Sequence, residues 1–317
     1  MPDIPKFSDL PLNKGDPRWS AWGLYGKDDQ LGTLNRLTDD VVKAASSEIR
    51  TGTRISLNWP LDAQKDIPFF NRQAFHKNVF QKLPRIVNDD EWSFNTQSSS
   101  QWDGLRHFGY QKEEKFYNGV TLDDIHGENK TNVNGIGAWS EKGIVGRGVL
   151  LDFHGWREAK GLPYDAFESG SISLEQLKEV AKSQDVELRF GDILIIRSGY
   201  MVAYGKLPRE EIKSLMAVQP HHFSGVEQSE KMLEWIWNNF SAVAGDQPSF
   251  ECWPTQKNFA LHEILLAGWG CPIGELFDLE ALSEHCKKVN RYTFFVTSEV
   301  CNVPGGVASP PNILAIF

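Results

Sequence analysis

Residues 96–110 read TQSSSQWDGLRHFGY and place two glutamines, an aspartate, an arginine and a histidine around three consecutive serines. Gln97, Gln101, Asp103 and His107 all occupy odd positions. Extended backbone through 97–103 would send Gln97, Gln101 and Asp103 to one face of a sheet, because side chains alternate along a strand. Three oxygen donors then converge, with small serines between them. Gly104 permits a sharp turn that could return His107 over the same spot. Such a layout suits a divalent cation with a base beside it. Taken alone, the segment is explained more simply as a polar loop whose Ser, Gln and Asp face water.

A second segment, FALHEILLAGWGCPIGELFDLEAL at 259–282, carries His262 and Glu275. On one unbroken helix these two would stand about 220° apart. Gly268, Gly270 and Pro272 end the helix instead, so Glu275 can return toward His262 from a following strand. Glu275 lies in the apolar run PIGELF, where an ionised carboxylate needs a cation or a hydrogen-bond donor. A buried salt bridge would satisfy it equally. Asp246 and Glu251, in AGDQPSFE, are candidates for orienting a ligand from behind, although a turn capped by Asp246 accounts for them nearly as well. Trp102 is a candidate flat wall for an aromatic or cyclic substrate; the alternative is an anchor into the sheet beneath. His126, His154, His221, His222 and His285 have no such company and are expected to be packed or surface residues.

The elements that must position these groups alternate along the chain. Segments 53–58, 147–153, 192–197, 292–298 and 312–317 read as strands, being β-branched or aromatic runs bounded by Gly, Asp or Pro. Helical patterns lie between them. Thr38 caps the first, Ser173 and Gln176 form a capping box for the next, apolar residues recur through 227–239, and Asp278 caps LEALSEHCKK. Alternation of this kind indicates an α/β domain. We expect one domain over 21–317, preceded by an arm, 1–20, that covers a neighbouring subunit. GxSxG, GxxxxGK[ST] and HExxH are absent, and GIVGRG (143–148) is expected to be a turn and not a dinucleotide loop.

With 317 residues and 40% hydrophobic content the chain can bury one large core. A net charge of −9 without a Lys/Arg cluster repels phosphate backbones and anionic lipid, so neither nucleic acid nor membrane is an expected partner. The first residues lack a basic start and an apolar run, and a cytoplasmic location is expected. Cys252, Cys271, Cys286 and Cys301 show no paired spacing and are expected to be reduced.

Taken in order, WGLYGKDDQLGTLN, GRGVLLD, GDILIIRSG, AGDQPSFE, LHEILLAGWGCPIGEL and NVPGGVASPPN resemble the metal-dependent hydrolases of the cyclase family, which includes bacterial kynurenine formamidase, isatin hydrolase and trans-dienelactone hydrolase. The family signature is HxGTHxDxPxH, in which two histidines and the aspartate bind metal and the last histidine acts in catalysis. Here the aspartate falls on Asp103 and the last histidine on His107, while Gln97 and Gln101 stand at the two earlier histidines and Leu105 at the proline. His262 and Glu275 match the remaining ligands.

The resemblance implies a mixed central sheet flanked by helices, of the swivelling β/β/α kind, and a homodimer or homotetramer. It also implies a single divalent cation. An amide oxygen is a harder and weaker donor than imidazole, so Mn²⁺ or Zn²⁺ is expected, with Mg²⁺ possible. The implied reaction is hydrolysis of an amide, lactam, lactone or ester of a small molecule by metal-activated water, with His107 as general base and acid. Loss of both histidines also fits a non-catalytic binding protein that keeps the fold.

Overall fold

The computed structural model describes residues 2–65 and 67–317. At its centre nine strands form one sheet: β1 (Arg54–Ser56), β2 (Gln101–Asp103), β3 (Ile144–Leu151), β4 (Asp192–Ile196), β5 (Phe240–Gly245), β6 (Ile273–Glu275), β7 (Thr293–Ser298), β8 (Ala308–Ser309) and β9 (Ile313–Ile316). Their order across it is β1-β9-β7-β3-β4-β5-β6-β2-β8. From β3 to β6 neighbouring strands run parallel, and on either side the pairing is antiparallel. Parallel strands need crossovers that cover both faces, which is why DILII and FSAVAG are buried at every position instead of alternating.

Eight α-helices accompany the sheet: α1 (Asp39–Ala45), α2 (Leu122–His126), α3 (Phe153–Ala159), α4 (Leu174–Ser183), α5 (Tyr200–Lys206), α6 (Arg209–Ala217), α7 (Glu230–Asn239) and α8 (Glu280–Val289). The Ser173/Gln176 capping box forms as expected, each side chain taking up the other's backbone N–H. Thr38 caps α1. Asp278 accepts the Glu280 N–H at 3.3 Å, although Leu279 is the residue at the helix boundary. None of the helices is long and apolar enough to cross a membrane among the described residues.

GIVGRG is not a turn. Gly146 and Gly148 lie inside β3 and only Gly143 precedes it. A Cβ on Gly148 would come within 2.5 Å of Phe294 and Val296 on β7, so this glycine serves close packing between strands.

Within the chain, residues 2–20 pack partly against the domain. Phe7, Leu10 and Trp19 are buried, Phe7 stacks on Trp19 at 5.9 Å and meets Trp269 edge-on at 6.2 Å, and the Trp237 indole donates to the Pro5 carbonyl. A two-stranded hairpin, His76–Gln81 with Asn88–Ser93, stands apart from the main sheet with every residue exposed.

Candidate metal centre

The site is built where β6 is held between β5 and β2. The antiparallel register sets Glu275 opposite Gln101, Gly274 opposite Trp102 and Ile273 opposite Asp103. Alternation on β2 puts Gln101 and Asp103 on one face and Trp102 on the other. Trp102 therefore does not wall the pocket. It is fully buried beneath the sheet, donates to Ser298 Oγ at 2.9 Å and meets Phe277 edge-on at 5.2 Å. Gly274 makes room for that indole, since a Cβ there would lie 2.9 Å from it and 2.7 Å from Phe277.

Strand geometry begins only at Gln101; the chain turns at 96–97 and bends through the serines. The turn still brings Gln97 to the aspartate, and its amide nitrogen donates to Asp103 Oδ1. Nor do the serines face water. Ser100 Oγ accepts from the Trp59 N–H at 2.7 Å and donates to the Leu276 carbonyl at 2.6 Å, while Ser99 donates to the Pro60 carbonyl at 2.9 Å. They pin the segment to its neighbours through backbone groups. A turn from Gly104 to His107, closed by a 3.0 Å backbone hydrogen bond, brings the His107 ring back to Asp103, with Nε2 3.8 Å from Oδ2.

His262 lies at the entrance of a π-helical segment, Glu263–Trp269. Glu251 takes its backbone N–H at 3.2 Å and its Nδ1 at 2.7 Å. The far nitrogen, Nε2, thereby faces Glu275 Oε1 at 3.2 Å and Asp103 Oδ2 at 3.7 Å. Glu251 is thus the residue that orients His262. Asp246 orients none of these groups: its carboxylate accepts from Ser198 N and Oγ and from the Gly199 and Met201 N–H groups, at the start of α5.

Carboxylate oxygens only accept, so each glutamine turns its amide nitrogen to a carboxylate. Gln101 Nε2 donates to Glu275 Oε2 at 2.9 Å and to Gln97 Oε1 at 3.2 Å. Gln97 Oε1 is therefore already engaged, whereas Gln101 Oε1 is buried without a partner. Gln97 is better described as a donor that fixes Asp103 than as the ligand its position suggests.

Charge in this cluster is unbalanced. Asp103, Glu251 and Glu275 are all buried. Burial opposes the charged form of His262, but Glu251, Asp103 and Glu275 outweigh it and hold its pKa well above the ordinary value. Burial also raises the Asp103 carboxyl, and His107, His262 and Gln97 more than offset this and lower it. For Glu275, burial and the Asp103 charge prevail and push it up. His107 is lowered, chiefly by burial. Three buried acidic side chains thus surround the His262 imidazole, an excess of acidic over basic groups.

Asp103 Oδ2 has no hydrogen-bond partner although it is buried, a loss of about 1–3 kcal/mol and more for a charged oxygen. Ligating atoms of Asp103, His107 and His262 lie within 4.8 Å of one another. These residues fit a divalent cation, with Glu275 alongside.

The group opens on a pocket of about 220 Å³ lined by Phe70, Arg72, Phe108, Ser249 and Trp253 as well as His107, His262 and Glu275. A larger cavity of about 490 Å³, lined by Phe69, Phe167, His221 and Phe223, shares none of those residues.

The cyclase family model, described as "Putative cyclase", matches residues 36–252. The chain belongs to the cyclase family. A crystal structure described as a novel cyclase is 30% identical, with a TM-score of 0.82 over 94% of this chain and 99% of that one. Isatin hydrolase A from Ralstonia solanacearum shares the fold at 14% identity, TM-score 0.58, over 88% of this chain and 98% of that one. So does an isatin hydrolase bound to the product analogue thioisatinate, at 11% identity and TM-score 0.57, over 87% and 95%. No curated protein matches the chain.

In this chain Asp103, His107, His262 and Glu275 come together, joined by both glutamines, and Glu251 supports them. Sequence reasoning missed Phe70, Arg72 and Trp253 in the pocket wall. A guanidinium beside two aromatic rings in PFFNRQ was the available signal.

Proposed function

We propose that this member of the cyclase family is a metal-dependent hydrolase of an amide, lactam, lactone or ester of a small aromatic or cyclic metabolite. The carrying observation is the unpartnered Asp103 Oδ2 facing His107 and His262 at 3.8 and 3.7 Å beside an aromatic-lined pocket. Asp103, His262 and Glu275 would hold one Mn²⁺ or Zn²⁺, with Gln101 Oε1 as a further oxygen donor. Such an ion supplies Lewis acidity toward a carbonyl and lowers the pKa of water. Glu251 holds His262 in the tautomer that aims Nε2 at the carboxylates. His107 is the most open of the four, with 21% of its side chain exposed, and is placed to take a proton from water and return it to the leaving group. Phe70, Phe108 and Trp253 supply flat walls for a ring.

Gently purified protein is expected to carry stoichiometric Mn²⁺ or Zn²⁺ by inductively coupled plasma analysis, and to lose and regain hydrolysis of a lactone, lactam and formamide panel with EDTA and added metal. Protein with no metal, inert to the whole panel, would overturn the reading. The double glutamine substitution favours a second one, a binding protein without turnover, in which the amide nitrogens stand in for a cation at Asp103 and Glu275. Binding of panel members without metal or hydrolysis would decide for it.

We also propose a homo-oligomer. The fully exposed hairpin, His76–Gln81 with Asn88–Ser93, is the surface on which a second copy would dock about a two-fold axis.

A further inference from the structure

We propose that Arg72 sets the specificity of this pocket, and that the molecule it selects carries a carboxylate on a small flat ring. The inference rests on the hydrolase reading for the reaction that follows, and on Arg72 alone for the binding. Arg72 follows the short turn Phe69–Asn71 and is half-buried in the pocket wall. Its Nη1 donates to the Gln97 carbonyl at 2.9 Å, and its guanidinium lies 4.7 Å from the centre of the Phe70 ring.

Those contacts use one of five N–H donors and one face of the plane. Among the described residues, no carboxylate oxygen lies within the 4.0 Å of an ion pair. Among the described residues Nε and Nη2 make no hydrogen bond, and neither is among the buried atoms sealed from solvent. A half-buried guanidinium without a carboxylate is costly unless something else completes it.

One role is already clear: the positive charge offsets part of the excess on Glu275 and Asp103, which feel it without touching it. A point charge would serve that purpose as well. The planar fork is used only by a bidentate anion, carboxylate above all. Around it, Phe70, Phe108 and Trp253 accept a flat ring, with Phe70 and Trp253 edge-on at 5.9 Å. A cavity of about 150 Å³ takes up benzene, so about 220 Å³ accommodates one ring and a short substituent. His107 lines the same pocket, so a ligand held at Arg72 presents its other end to the metal-binding group.

Calorimetric binding of benzoate and of its neutral isostere benzamide to the full chain as purified tests this, for the wild type, Arg72→Gln and Arg72→Lys. The wild type is expected to prefer benzoate by at least about 10-fold. Arg72→Gln should lose benzoate by about 10- to 100-fold while benzamide stays within about 3-fold, and Arg72→Lys should fall between them.

Equal loss of both ligands in folded Arg72→Gln would mean a structural role and overturn the proposal. So would benzoate binding that survives Arg72→Gln, which places the anion on the metal. If Arg72→Gln does not fold, Arg72→Lys decides: unchanged benzoate affinity overturns the bidentate site, and a selective fall supports it. An Arg72-dependent preference in protein that hydrolyses nothing overturns only the hydrolase reading. Hydrolysis with no such preference overturns only the anion site.

Discussion

Gln97 and Gln101 stand where the family signature has imidazoles, and their amide nitrogens bind the carboxylates that a metal would otherwise share. Restoring histidine at both positions replaces weak oxygen donors and competing amides with nitrogen ligands. The double variant Gln97→His/Gln101→His is expected to bind Zn²⁺ at least about 10-fold more tightly, measured by competition with a chromophoric chelator. Unchanged affinity would mean that these positions lie outside the coordination sphere. His107 is separable from the ligands in the same way. His107→Ala should keep its metal and lose about 10²- to 10⁴-fold in turnover. Asp103→Asn should lose both, and metal loss in His107→Ala would make His107 a ligand.

Between elements, the site depends on how closely β6 approaches β2 and the strands behind it. Gly274 sits at the contact: a Cβ would meet Ala244, Phe277 and Trp102 at 2.7, 2.7 and 2.9 Å. Gly274→Ala must therefore push Trp102 away and shift the strand that carries Gln101 and Asp103. Overpacking of this kind costs about 1–3 kcal/mol. Denaturant titration should show that loss, accompanied by weaker metal retention. A destabilised variant with full metal content would show that the cluster tolerates movement of β2.

At the scale of the whole molecule, the hairpin is the part that this chain leaves uncovered. Ile86, Leu83, Val79 and Trp92 are 93, 79, 60 and 58% exposed, an apolar surface that a second copy would bury. Light scattering after size exclusion is expected to give a dimer or tetramer for the wild type and a smaller species for Leu83→Lys/Ile86→Lys. A monomeric wild type would rule out this use of the hairpin.

Local patterning was enough for much of the frame. All five strands expected from β-branched and aromatic runs are present with small shifts at their ends, and the Ser173/Gln176 box starts α4, because these depend on residues a few positions apart. β5 escaped notice because FSAVAG follows α7 without a loop, whereas β6 was expected only from the helix break before it, since IGE is too short to show a period. The resemblance to the cyclase signature, more than the residue types, pointed to a cation site at Asp103, His107, His262 and Glu275, and the π-helix and β6 bring these side chains together. Which face Trp102 took, which oxygen each glutamine kept free and where Arg72 stood were settled by packing across the sheet. Those outcomes depend on partners far along the chain, and no spacing within a segment encodes them.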